Sequence, residues 1–110
     1  MISIIIPNYN KSQFVAETIN SIKEQTYDNW EAIIIDDCSS DNSVEIIAGL
    51  TSNDNKFKLK VNLSNKGANY CRNVGIKEAK GDFIIFLDSD DILSKDCLKN
   101  RIDFFKRVLI

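Results

Sequence analysis

The 110 residues contain no histidine. That absence removes imidazole acid and base chemistry, serine and cysteine triads, and the usual zinc ligand sets. Any chemistry falls to carboxylates, hydroxyls, amides or cations. Cysteine is scarce: Cys38, Cys71 and Cys97 are odd in number and form no CxxC pair. This argues against both a disulfide framework and a thiolate zinc site, and a reducing, cytoplasmic setting is expected. Excess positive charge is also missing. With 14 basic and 16 acidic residues the net charge is −2, which is not the footprint of a nucleic-acid binder. No apolar run is long enough to span a bilayer. The start, MISIIIPNYN, has no basic segment and only a short apolar run broken by Ser3, so it reads as neither secretory signal nor membrane span. Phosphate cradles are lacking as well: no GxGxxG follows the first apolar run, and no GxxxxGK[ST] occurs anywhere.

What is present is an ordinary globular composition, 44% hydrophobic and 27% charged, sized for a single domain over residues 1–110. Ile2 to Ile6 is a short β-branched run, apolar at almost every position and stopped by Pro7, and it reads as a buried strand. A helix follows, with Asn10 or Ser12 as its cap and Val15, Ile19 and Ile22 as its inner stripe. Trp30 to Ile35 repeats the strand pattern and ends in Asp36 and Asp37. Ser40 or Asp41 is the expected cap of a second helix, with Val44, Ile47 and Ala48 inward. Phe57 to Leu63 alternates as an edge strand would. The next helix carries spaced small residues, Ala68, Cys71, Gly75 and Ala79, and Gly81 is expected to end it. Phe83 to Leu87 is the fourth strand, and Leu98, Ile102, Phe105 and Leu109 mark a last amphipathic helix. An exposed apolar face on that helix would favour self-association.

Alternation of apolar strands with helices predicts an α/β, three-layer sandwich around a mostly parallel sheet, Rossmann-like, with strand order 3-2-1-4. Ligands of such sheets sit beyond the carboxyl ends of the strands where the order reverses, here between strands one and four. PNYN, DDCSSD and DSDD would line that crevice. The last is the most demanding stretch. In DFIIFLDSDDIL five apolar residues run into Asp88, Ser89, Asp90 and Asp91, and three crowded carboxylates repel one another at a cost in stability. Taken alone the cluster is as well explained by a solvated turn with Asp90 or Asp91 capping the next helix. Its place on the sheet tips the balance towards a site. Carboxylates one residue apart can turn towards one hard cation, Mn²⁺ or Mg²⁺, whose shell a diphosphate and water would complete. Asp90, with Arg72 or Lys66 beside it, would then replace the missing phosphate cradle.

SIIIPNYN, SIKEQTYDNWEAIIIDDCSSDNS and NKGANYCRNVGIKEAKGDFIIFLDSDD together resemble the donor half of the family 2 glycosyltransferases, whose fold is GT-A, the nucleotide-diphospho-sugar transferase type. The resemblance runs from Ile2 to about Leu98. It implies metal-dependent transfer of a sugar from a nucleoside-diphosphate sugar to an acceptor with inversion, as a hexosyltransferase of polysaccharide or cell-surface glycan synthesis. It implies further that Pro7, Asn8 and Tyr9 shape the base and ribose pocket, Tyr9 giving a stacking face, and that Asp37 hydrogen-bonds the base. Asp36 is read as structural. Asp88 and Asp90 match the DxD motif, with Asp90 on the metal, Asp88 towards ribose or the metal's water, and Ser89 adding a polar contact. Asp91 is left between a further ligand and a helix cap. Arg72 and Asn73 match positions near the donor, while Glu17 and Gln25 are read as structural hydrogen bonders.

In that family the base that deprotonates the acceptor follows the DxD, in the acceptor half, and this sequence ends 20 residues beyond Asp90. No catalytic residue is therefore assigned. The chain is expected to be a truncated donor half, with a UDP-sugar as ligand, a glycan or lipid-linked acceptor reached through other segments, and a cytoplasmic location, peripheral at the inner membrane face in the longer protein. A catalytically silent nucleotide-sugar-binding fragment is the alternative. A phosphoacceptor signalling domain or an aspartyl phosphohydrolase fits less well, since each wants its acids after the first strand, where this chain has Pro7 to Asn10.

Overall fold

The computed structural model describes residues 1–108; Leu109, expected in the last helical stripe, lies outside them. The elements alternate as β1 (Ile2–Asn8), α1 (Val15–Lys23), β2 (Trp30–Asp36), α2 (Ser43–Thr51), β3 (Phe57–Val61), α3 (Ala68–Glu78), β4 (Phe83–Phe86) and α4 (Cys97–Val108). All three strand pairings are parallel and the order is β3-β2-β1-β4, as expected. The two central strands are apolar at almost every position because both of their faces are covered. Ile2, Ile4, Ile6, Ala32 and Ile34 meet Val15, Ile19 and Ile22 of α1, Ile47 of α2, and Leu98 and Ile102 of α4. On the other face, among the described residues, Ile5, Ile33 and Ile35 meet Cys71 and Val74 of α3 and Ala79 at its end.

That uneven cover leaves the fourth strand largely uncovered although its sequence is apolar throughout. β4 is an edge strand, and α3 packs over β1 and β2, so Ile84 and Phe86 are left exposed while Ile85 is buried. Other expectations also shift. Neither Asn10 nor Ser12 caps α1; the helix starts after a turn in which Phe14 and Val15 N–H donate to Lys11 O at 2.9 Å. Asn10 instead takes a left-handed conformation, φ 52°. β3 stops at Val61, short of Leu63, where Asn62 N–H turns to Asp36 O at 2.8 Å. In α2, Ala48 faces solvent, and Ile46 and Leu50 flank Ile47 against the core. The stripe of α4 is Leu98, Ile102 and Phe105, with Phe105 stacked on Phe83 at 4.6 Å. It packs inward, and Phe104 and Val108 point out.

Two glycines mark close approaches, one to backbone and one to core side chains. α3 closes at Glu78 with Ala79 as its cap, not at Gly81. Gly81 lies against the start of β1, where a Cβ would fall 2.6 Å from Ser3 Oγ and 2.7 Å from Met1 O. Its N–H donates to Ser3 Oγ at 2.8 Å, and Ser3 in turn donates to the buried Glu31 at 2.6 Å. Burial pushes the Glu31 carboxyl up, but the bonds from Ser3 and Lys80 N–H and the charge of Lys58 hold it below its usual range. Gly75 sits mid-helix, where a Cβ would collide with Ile5 Cγ2 and lie 3.2 Å from Ile35 Cδ1. Gly75→Val is expected to overpack this layer and cost about 1–3 kcal/mol, read from the urea midpoint.

α2 is opened by Asp41, two residues ahead of it. Its carboxylate accepts Ser43 N–H at 2.9 Å, the Ser43 hydroxyl, and Ser12 N–H at 3.0 Å. Burial raises its pKa, yet these bonds outweigh it and bring the group from the ordinary 3.8 to about 2. Because the folded value lies below the unfolded one, the stabilisation is complete above 3.8 and disappears as the pH falls through about 2. Asp41→Asn should therefore unfold more easily than the parent chain at neutral pH. That gap in thermal midpoint should close on acidification across the same window.

Candidate functional site

β1, β2 and β4 deliver their carboxyl ends to one edge, and a cavity of about 430 Å³ opens there beside the β1/β4 boundary. This is a usual size for a small-molecule site. Its walls come from Pro7, Asn8, Tyr9 and Lys11 after β1, Asp37 after β2, Asn65, Gly67, Ala68, Cys71 and Arg72 around the start of α3, and Asp88, Ser89 and Asp90 after β4. Of the residues singled out from the sequence, Asn73 is not among them. It is exposed, and one residue on from Arg72 the helix has already turned away from the cavity. Lys66 does not reach it with its side chain either, because its ammonium lies 5.9 Å above the Tyr70 ring.

Asp36 and Asp37 divide the work at the end of β2. Asp36 is wholly buried and accepts Asn8 Nδ2 at 2.8 Å, Ser39 N–H at 2.9 Å and Ser39 Oγ at 2.6 Å. It fixes the turn after β2. Asp37 faces the cavity, and its carboxylate gathers Lys66 N–H at 2.7 Å, Gly67 N–H at 2.9 Å and Asn62 Nδ2 at 3.0 Å. Burial raises its pKa, but these donors prevail and keep it ionised below the usual range. Asp37 thereby holds the loop that carries Asn65 and Gly67 into the wall, and its Oδ2 keeps room for one more donor. Beside it the Cys71 thiol is pushed up to about 11, by burial first and the Asp37 charge second. It is a packing group with no thiolate character. Asn8 Oδ1 is buried and, among the described residues, has no hydrogen-bond partner. Such an orphaned acceptor on a cavity wall suits a ligand's N–H or O–H.

The acidic cluster is exposed. Carboxylate oxygens of Asp88, Asp90 and Asp91 all lie within 4.8 Å of one another. Hard oxygen donors at this spacing, open to solvent, fit a divalent cation that keeps part of its water shell. Two cations answer the crowding: Lys11 Nζ lies 3.4 Å from Asp90 and Arg72 Nη2 lies 3.8 Å from Asp88. Lys11 was not anticipated from the sequence, and a lone lysine after NYN carries no local signal that it will face Asp90. The helix-cap reading of Asp90 and Asp91 fails, because α4 begins only at Cys97, where the N–H of Cys97 meets Ser94 O at 3.0 Å. Asp91 stands with the other two acids.

The cluster's backbone is held by α1. Thr18, wholly buried, donates its hydroxyl to Asp91 O at 2.6 Å and Ser89 O at 2.9 Å. Ser21 Oγ accepts Leu93 N–H at 3.1 Å, and Gln25 grips Ser94 O at 2.7 Å and Leu98 N–H at 3.0 Å. Gln25 is thus structural as read, whereas Glu17 is exposed and the holding role falls to Thr18. Thr18→Val, nearly equal in volume, leaves two carbonyls short of a donor. It should cost about 1–3 kcal/mol in urea unfolding and speed amide exchange across 88–94.

The family model described as Glycosyl transferase family 2 matches residues 3–108. The chain is similar, at 43% identity over 102 residues, to the UDP-Glc:α-D-GlcNAc-diphosphoundecaprenol β-1,3-glucosyltransferase WfgD of Escherichia coli, covering 93% of this chain and 40% of that protein. The Staphylococcus aureus TarS 1–349 structure in complex with UDP-GlcNAc superposes with a TM-score of 0.90 at 33% identity, over 96% of this chain and 31% of that one. The Pyrobaculum calidifontis mannosyltransferase PcManGT, in complex with GDP-Man and Mn²⁺, shares the fold with a TM-score of 0.88 at 21% identity, over 94% of this chain and 32% of that one. The chain spans only part of the length of the curated relatives it matches, 42% and 41% of the first two and 18% of TarS. With the family match running over nearly the whole sequence and the parallel 3-2-1-4 sheet beneath it, the chain belongs to the family 2 glycosyltransferases and has their GT-A fold.

Proposed function

We propose that this chain forms the donor-binding part of a metal-dependent, inverting glycosyltransferase that takes its sugar from a nucleoside diphosphate, a UDP-sugar first, for cell-surface glycan synthesis. The observation that carries the reading is the convergence of Tyr9, Asp37, Arg72, Asp88 and Asp90 on one cavity at the switch point of the sheet, with Asp91 beside the last two. Sugar nucleotides bound by TarS and PcManGT support the ligand class. A lipid-linked acceptor, as in the name of WfgD, and a cytoplasmic place belong to the same proposal.

Each residue then has a task that its position allows. Tyr9, half exposed at the rim, offers a ring face to the base. Asn8 Oδ1 and the free side of Asp37 Oδ2 are acceptors for a base N–H and a ribose O–H. Asp90 and Asp88 would hold Mn²⁺ or Mg²⁺, with Asp91 close enough to share it. The ion, when bound, offsets the charge that grows on the departing nucleoside diphosphate. Arg72 and Lys11, whose partners in the cluster would then face the ion, are placed to bind diphosphate oxygens. The base that deprotonates the acceptor is assigned to no residue of this chain.

Calorimetric titration with UDP, GDP and their sugars, with and without Mn²⁺, tests the reading. UDP is expected to bind with Mn²⁺ and to lose tenfold or more in affinity in Asp90→Ala, as loss of about 1.4 kcal/mol or more implies. Binding that ignores the metal, or that Asp90→Ala leaves unchanged, would count against the assignment of Asp90. No binding of either nucleotide to the parent chain would remove the donor reading itself.

A further inference from the structure

The chain's charge is unevenly placed. From Phe57 to Gly81 the sequence holds six cations against the single anion Glu78, in a chain of net charge −2. Arg72 faces the cavity, and the other five are lysines of β3, α3 and the segments that join them. Glu78 lies among three of them. Lys60 Nζ bonds it at 2.6 Å, and the charges of Lys60, Lys58 and Lys80 hold its carboxyl below the usual range. Lys60 and Lys77 flank an open groove floored by Tyr70 and Val74, and Lys66 stands over the Tyr70 ring. The lysines therefore border one another across a single surface, on the side of the sheet that α3 covers.

Apolar groups protrude from the same surface. Leu63 is fully exposed, at 100%, and Val61 and Tyr70 are each about half exposed. A polyanion calls for charge and has no use for a bare leucine. A bilayer interface with anionic headgroups accommodates both features, since lysines meet the headgroups while leucine and tyrosine side chains enter the boundary below them. The surface also adjoins the cavity: Leu63 rides on the 62–67 loop, which Asp37 ties down and which contributes Asn65 and Gly67 to the cavity wall. We propose that the β3–α3 surface, through Lys60, Lys66, Lys77, Leu63 and Tyr70, docks the protein on an anionic lipid bilayer with the cavity mouth beside the membrane. Among the described residues no helix is long and apolar enough to cross a membrane, so the contact is peripheral.

Flotation of the chain with vesicles of phosphatidylcholine alone, and of equal parts phosphatidylcholine and phosphatidylglycerol, tests this. Binding is expected only with phosphatidylglycerol and should weaken as salt is raised. Lys60→Gln and Lys77→Gln should each lower the partition about fivefold, the equivalent of about 1 kcal/mol per lysine. Leu63→Ser should lower it without any change of charge. All three side chains are exposed, so thermal unfolding should stay unchanged, as should nucleotide titrations, since none lines the cavity. Failure to float, or equal binding to neutral vesicles, overturns the proposal. So does binding that Leu63→Ser leaves intact while immobilised heparin retains the chain equally well, which would make the surface a polyanion site.

Discussion

A single buried hydroxyl bears on everything at the carboxyl edge. Thr18 is enclosed between α1 and the segment after β4, and its Oγ1 reaches two carbonyls, of Ser89 and Asp91, that strand pairing has left behind. A chain leaving a parallel strand must find new partners for its backbone, and a buried carbonyl without one is costly. α1 and the turn that follows it supply them in sequence: Thr18 for 89 and 91, Ser21 for 93, Gln25 for 94 and 98. Spacings of three and four put these polar groups along one edge of the helix, beside the apolar stripe of Val15, Ile19 and Ile22. The helix is therefore a template for the loop as well as a cover for the sheet. Because that loop is fixed through its carbonyls, its carboxylates stay free to face outward.

The crowding of those carboxylates is borne by exposure and by borrowed cations. Near the surface, charge repulsion is reduced by solvent, and Lys11 and Arg72 each lie within 4 Å of an acid. Exposed pairs of this kind contribute little to stability. They are better understood as exchangeable neighbours, since a cation with stronger oxygen affinity could displace them without unfolding anything. The apolar strand before the cluster helps less than its composition suggests. Only Ile85 of β4 is buried, because the strand lies at the sheet edge and the helix on that face sits over its neighbours.

The topology was legible because two central strands that are apolar at almost every position and four helical stripes leave few alternatives to a parallel sheet. The switch-point rule points to the edge where the cavity lies, and Pro7, Asn8, Tyr9, Asp37, Asp88 and Asp90 line it. Local endings were less legible. Asn10 and Ser12 look like caps, yet Asn10 is drawn away to accept Ser40 N–H at 2.8 Å and Ser12 N–H turns to Asp41. Those partners stand 30 and 29 residues off in sequence, so no local pattern reveals them. Lys11 escaped notice for the same reason, its partner being Asp90. Asn73 matches a family position next to Arg72, yet adjacent helical residues point about 100° apart and Arg72 lines the cavity where Asn73 does not. Thr18 was invisible because a threonine in a helix gives no sign of which carbonyl it will meet.

Six aspartates stand at the carboxyl edge, and composition cannot sort them; their hydrogen bonds can. Asp36, Asp37 and Asp41 each accept three bonds from backbone N–H groups, amides or hydroxyls of the protein itself. They shape the turns after β2, and only Asp37 both shapes and faces the cavity. Asp88, Asp90 and Asp91 lie exposed within reach of one another, and among the described residues their carboxylates meet only the side chains of Lys11 and Arg72. A carboxylate whose lone pairs are filled by neighbouring N–H and O–H groups is part of the scaffold. One held in place by its backbone, with its oxygens unspent, is free to bind. The edge thus uses one residue type in two ways, and the difference is written in the partners each carboxylate has, not in the motif that contains it.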